Sequence, residues 1–116
     1  MSTPVGPYTP VVRTGDLLYT SGQIGIRDGA IVDGGLEPEL RQVFVNLRAV
    51  LDSVGGSLDR VVKTTVFLSD MNDFAAMNEV YARHFGHHRP ARAAVQAAAL
   101  PKGVDVEIEC VARVAG

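Results

Sequence analysis

Arg92 and Glu107 are the two side chains whose types and settings could do chemistry on a small molecule. Arg92 stands in Pro90-Ala91-Arg92-Ala93-Ala94-Val95, a lone long cation entering a strand-like run of small residues that leaves its head space. A planar guanidinium can take a carboxylate through two parallel hydrogen bonds, so Arg92 is a candidate anchor for an acidic small molecule. Glu107 and Glu109 alternate along the last apolar run and therefore share one face of a strand. A carboxylate near an arginine and partly desolvated can position or deprotonate water. Structural readings compete: Arg92 can close an internal ion pair with Glu107 or Glu109, and either acid can be solvated or paired at an interface.

Weaker candidates lie elsewhere. Tyr8 follows the rigid Gly6-Pro7 turn and can either cover a pocket with its hydroxyl or pack on the surface. Ser21-Gly22-Gln23-Ile24-Gly25 ends a strand in a glycine-containing turn whose backbone groups are open to a ligand. No histidine stands at motif spacing to make Ser21 a nucleophile. Asn78 lies one helical turn after Phe74, where it can face a pocket or cap a neighbouring backbone group. His84, His87 and His88 have no nearby Cys or carboxylate to complete a metal set, so no metal is expected. Gly34-Gly35 and Gly55-Gly56 lack the strand-turn-helix context of a phosphate or dinucleotide loop.

These residues need a scaffold, and 116 residues with 47% hydrophobic and 21% charged side chains supply one domain with a real core, spanning 1–116. Net charge is −2, without the basic footprint of a nucleic-acid or anionic-membrane binder, and no apolar run is long enough for a membrane helix. The start has no secretory pattern, and one cysteine, Cys110, forms no internal disulfide; a reducing, cytoplasmic setting is expected.

Val11-Val12 and Leu17 to Ser21 flank Thr14-Gly15-Asp16 as a hairpin, and a third short strand is expected at Ala30 to Val32. Leu36, Leu40, Val43, Phe44, Leu47, Val50, Leu51 and Val54 keep the spacing of one helical stripe, stopped by Gly55-Gly56. Val61 to Leu68 reads as a strand covered on both faces. A second helix is expected from Phe74 to Phe85, capped by Asn72 or Asp73, with Phe74, Met77, Tyr81 and Phe85 on one side. Ala93 to Ala97 can pair beside the last strand through a Leu100-Pro101-Lys102-Gly103 turn. In that last strand Val104, Val106, Ile108, Cys110, Ala112 and Val114 face one way; Asp105, Glu107, Glu109, Val111 and Arg113 face the other. The order β-β-β-α-β-α-β-β implies an α+β mixed sheet with both helices packed on one face. The opposite face, with its alternate acids, must meet solvent, cations or another subunit.

Gly6-Pro7-Tyr8, Tyr19 to Ile24, Val62 to Leu68, Met71 to Phe74, Asn78, Tyr81, Pro90-Ala91-Arg92, Leu100-Pro101 and Val106 to Glu109 together resemble the RidA/YjgF family, in order over nearly the whole chain. The Pro-Ala-Arg to Val-Glu-Ile block is that family's signature segment. The resemblance implies a chorismate-mutase-like fold assembled as a homotrimer, with pockets in the clefts between subunits. It also implies a cofactor-free deaminase of 2-iminobutanoate and 2-iminopropanoate, which are released with their enamine tautomers by pyridoxal-phosphate enzymes such as threonine dehydratase. By motif match Arg92 would hold the substrate carboxylate and Glu107 would orient water. Tyr8, Ser21, Gly22, Asn78 and Ala94 would line the pocket, some from the adjacent subunit. Many relatives carry cysteine where Ala94 stands, so a mechanism needing that thiol fails here and one needing only its backbone amide survives. The rival reading is a non-catalytic module that senses a small carboxylate such as 2-oxobutanoate. RNA cleavage, associated with the family name, is opposed by the acidic net charge.

Overall fold

Leu40, Val43, Phe44, Leu47, Val50 and Leu51 are buried along one stripe of α1 (Leu36–Asp52), as their three- and four-residue spacing predicts. The computed structural model describes residue 4 and residues 6–114. The helix stops two residues before Val54, where Gly55 takes φ 78°, a left-handed conformation, and the Gly56 N–H reaches back 2.8 Å to the Leu51 carbonyl.

β1 (Val11–Thr14) and β2 (Leu17–Thr20) form the expected hairpin around Gly15-Asp16. β3 (Ile26–Arg27) was not foreseen; it pairs with β4 (Ala30–Ile31) in a separate ribbon, so the third strand ends at Ile31 and never joins the main sheet. Asn46 ties this ribbon to α1, its Nδ2 donating to the Ile24 and Ile26 carbonyls at 3.0 Å each. β5 (Val61–Leu68), α2 (Phe74–Phe85), β6 (Ala91–Gln96) and β7 (Val106–Arg113) follow. The order is therefore ββββαβαββ, one short strand more than expected. α2 carries no side-chain cap at Asp73; the Asp70 carboxylate instead accepts from the Asn72 N–H at 2.9 Å and caps the single 3-10 turn leading into the helix.

The main sheet runs β1-β2-β7-β5-β6, with β5 and β6 parallel and every other pair antiparallel. A β6–β7 hairpin is therefore not formed. Burial explains the outcome: Val106, Ile108, Cys110 and Ala112 are all buried and need a central strand, whereas Ala91, Ala93, Val95 and Gln96 of β6 are exposed and suit an edge. α2 supplies the crossover that parallel neighbours require. Both helices cover one face, and Phe44 packs edge-on against Tyr81 and Phe85 between them.

Because the helices take one face only, β5 is not covered on both. Val61, Thr64, Val66 and Leu68 are buried, while Lys63 is exposed and Thr65 and Phe67 are half-buried, with an irregular register between Val61 and Lys63. The helix-free face carries Val12, Tyr19 and Val95, exposed by 53%, 44% and 43%, beside Phe67, Glu107 and Glu109. That is a large apolar share for a solvated face. Among the described residues no helix is long and apolar enough to cross a membrane.

Candidate active site

The candidate residues fall into two groups. The first gathers where the chain leaves β2 and passes the middle of β7. Gln23 N–H donates to the Ile108 carbonyl at 2.8 Å and Ile108 N–H returns the bond at 3.1 Å, which lays Gly22 beside Glu107. A Cβ at Gly22 would lie 2.8 Å from the Glu107 carboxyl carbon, so glycine lets that side chain rest against the backbone. Ser21 Oγ donates to the Thr9 carbonyl at 2.7 Å and Ser21 N–H to the Pro10 carbonyl at 2.8 Å, anchoring the segment that carries Tyr8. The turn is thus less open than expected, since Ser21 and Gln23 spend their N–H groups on the protein. Tyr8 is 45% exposed.

Glu107 sits half-buried, and desolvation, with repulsion from Glu109 second, raises its pKa above the ordinary glutamate value. The folded state therefore holds this proton more tightly than the unfolded chain. The charged form costs stability above the folded pKa, and that cost vanishes below the ordinary value. Glu107→Gln is expected to raise the melting temperature near neutrality, with the gap closing as pH falls through the raised pKa. Thermal denaturation across pH checks this, and a neutral-pH melting temperature lower than the parent's would contradict it.

The second group lies on the other side of the sheet. Thr64 and Arg92 are register partners on the helix side, whereas Phe67 pairs with both Glu107 and Val95 on the helix-free side. Arg92 rises from edge strand β6 into a cradle on α2. Its guanidinium carbon lies 4.9 Å from the Tyr81 ring centroid and 5.6 Å from that of Phe74, and Nη1 is 3.8 Å from Met77 Sδ. The Tyr81 hydroxyl and Thr64 Oγ1 share a 2.7 Å hydrogen bond that fixes the ring. Among the described residues Arg92 closes no ion pair, so the internal pairing with Glu107 or Glu109 does not form. The sequence puts Phe74, Met77, Tyr81 and Phe85 on one side of the helix. Phe74 is 38% exposed, and the cradle function was hidden because nothing in the sequence pairs α2 with β6.

Asn78 stands between Phe74 and Tyr81 on that flank of α2 by helical spacing, and its Oδ1 is buried without a hydrogen-bond partner. Ala94, two residues after Arg92, shares its face and packs against the core. Cys110 faces the apolar side, where burial pushes its thiol up to about 11, so it does not stand in for a reactive thiol at Ala94. His84 stacks on Phe44 with centroids 4.5 Å apart, and His88 Nε2 donates to the Val61 carbonyl at 2.6 Å.

Comparison with known proteins places this arrangement. The mixed sheet with two helices on one face is the fold of RidA proteins: the crystal structure of RidA from an Antarctic Psychrobacter matches with a TM-score of 0.92 at 43% identity, over 97% of this chain and 92% of that one. E. coli TdcF with bound serine matches with a TM-score of 0.90 at 38% identity, over 97% and 91%. Residues 1–114 match the family described as Endoribonuclease L-PSP, and the chain belongs to this RidA/YjgF family. A RutC family protein of Pyrococcus horikoshii is 50% identical over 111 residues, 94% of this chain and 88% of the relative. The human 2-iminobutanoate/2-iminopropanoate deaminase is 46% identical over 110 residues, 93% and 80%.

Proposed function

We propose that the chain hydrolyses small 2-imino acids to 2-oxo acids and ammonia in the cytoplasm, in pockets formed between copies of itself. The observation that carries this reading is the Arg92 guanidinium, half-buried, held between two aromatic rings and without a carboxylate partner among the described residues. Such a fork is preorganised for the carboxylate of a ligand. The partnerless acceptor of Asn78, beside it on α2, suits a substrate N–H. The deaminase name of the human relative agrees with both.

Within one copy Arg92 and Glu107 lie on opposite faces of the sheet, so a second copy is needed to bring them together. The exposed apolar residues around Glu107 suit that contact. A face of one copy meeting an edge of the next is a heterologous contact, which can close as a ring, and the family resemblance implies three copies. Arg92 then holds the carboxylate while Glu107 directs water at C2. Water's oxygen bonds to C2, the C=N π pair moves to nitrogen, and Glu107 relays a proton from water to nitrogen. A second proton passes from the new hydroxyl to nitrogen, the C–N bond breaks, and ammonia leaves as C2=O forms. The reaction is redox-neutral and the substrate reacts unaided, so orientation and one acid–base group, the latter worth about 10²–10⁴-fold, suffice.

The test follows the loss of 2-iminobutanoate produced by threonine dehydratase, with and without the protein. Faster loss is expected. No acceleration with this or other 2-imino acids, together with tight 2-oxobutanoate binding that Glu107→Gln leaves unchanged, would give the sensing reading instead. RNA cleavage, the reaction in the family description, draws no support from a net charge of −2.

A further inference from the structure

Away from the candidate site, a cleft of about 460 Å³ opens between the C-terminal half of α1, the connection after it and the last turn of α2. It shares no residue with either group described above, and its volume lies within the range of small-molecule sites. One wall is acidic. Asp52 stands in the last turn of α1, which carries no basic residue, at the end where the helix dipole is negative, and Asp59 joins it from the connection. The other wall donates. Arg48 lies one turn before Asp52, about 6 Å along the axis, and its Nη2 reaches His84 Nδ1 at 3.5 Å.

A guanidinium can only donate, so Nδ1 accepts and the His84 ring proton sits on Nε2, a second donor. The ring is held flat on Phe44 at an interplanar angle of 6°. Burial, with Arg48, Arg83 and Arg41 behind it, lowers the His84 pKa and so favours the neutral ring. Among the described residues Arg48, Asp52 and Asp59 form no ion pair, although Arg48 and Asp52 are four apart on one helix. Charges of both signs thus line one cleft without pairing to each other, over the buried side chain of Leu58.

We propose that this cleft binds a zwitterion of free amino-acid size, its carboxylate on Arg48 and His84 and its ammonium between Asp52 and Asp59. A simple anion would meet the two carboxylates, and a simple cation would meet the guanidinium; only a molecule carrying both charges satisfies both walls.

The experiment titrates glycine, alanine and leucine into the ¹⁵N-labelled full chain carrying Arg92→Ala, so that binding at the Arg92 cradle does not contribute, and follows backbone amides. Saturable shifts at Gly56, Ser57, Leu58 and His84 are expected, weakened at least about tenfold by Arg48→Ala and by Asp52→Asn with Asp59→Asn. Acetate and methylammonium are expected to give no saturable shift over the same range. These side chains are exposed, so the variants should keep the parent spectrum elsewhere. The proposal is overturned by the absence of saturable shifts with all three amino acids, by acetate alone reproducing them, or by affinity that survives both sets of substitutions.

Discussion

Arg92→Ala is expected to lower kcat/KM for 2-iminobutanoate hydrolysis by about 10²–10³-fold. Two charge-assisted hydrogen bonds to a carboxylate contribute about 1.5–3 kcal/mol each, and every 1.4 kcal/mol is a decade, with water recovering part of the loss. Arg92→Lys keeps the charge but loses the fork and its fit between Tyr81 and Phe74, so a loss of about 10–100-fold is expected. The fold should tolerate both changes, because Arg92 rises from an edge strand and its ring contacts are worth about 1 kcal/mol each. Thermal denaturation of both variants beside the steady-state assay separates the effects. Activity of Arg92→Ala within about threefold of the parent, in a folded protein, would remove the guanidinium from the site.

What the sequence yielded, and what it withheld, follows from the range of the forces involved. The bounds of β5 and α2 were legible because β-branched runs and three-to-four spacing are local patterns, and α2 ends at the expected Phe85, with Gly86 following at φ 63°. α1 was legible along its stripe but overrun at Val54, because an apolar residue in phase does not oblige the backbone to stay helical right up to a glycine stop. The inward face of β7 was read correctly from its alternation. Alternation gives parity within one strand, however, and says nothing about parity between strands. The register of β6 against β7 is set through their shared neighbour: Phe67 faces Glu107 on one side and Val95 on the other, and Arg92, three residues before Val95, must therefore point to the opposite face. No pattern within either strand contains that information. The same gap hid the edge position of β6 and the cradle that α2 offers Arg92. Ser21, Gly22 and Glu107, by contrast, are brought near one another through the Gln23–Ile108 bridge, and the Ser21–Thr9 hydrogen bond ties the chain after Tyr8 to them.

That parity has a consequence that can be measured. Arg92→Ala and Glu107→Gln, each alone, should be nearly inactive, yet the two mixed and reassociated should recover activity. In a ring where each pocket takes Arg92 from one copy and Glu107 from the next, a pocket is intact whenever a Glu107→Gln copy presents its arginine to an Arg92→Ala copy that still has its glutamate. With equal amounts and random assortment among three copies, about one quarter of pockets meet that condition. Recovery towards a quarter of the parent rate is therefore expected, with the mixed species counted by native mass spectrometry. If one copy supplied both side chains, every pocket in every mixed ring would lack one of them and nothing would be recovered. A protein that stays monomeric in solution would recover nothing either, and its measured mass would say so. Either result would overturn the pocket shared between copies, which the opposite faces of Arg92 and Glu107 in one sheet otherwise require.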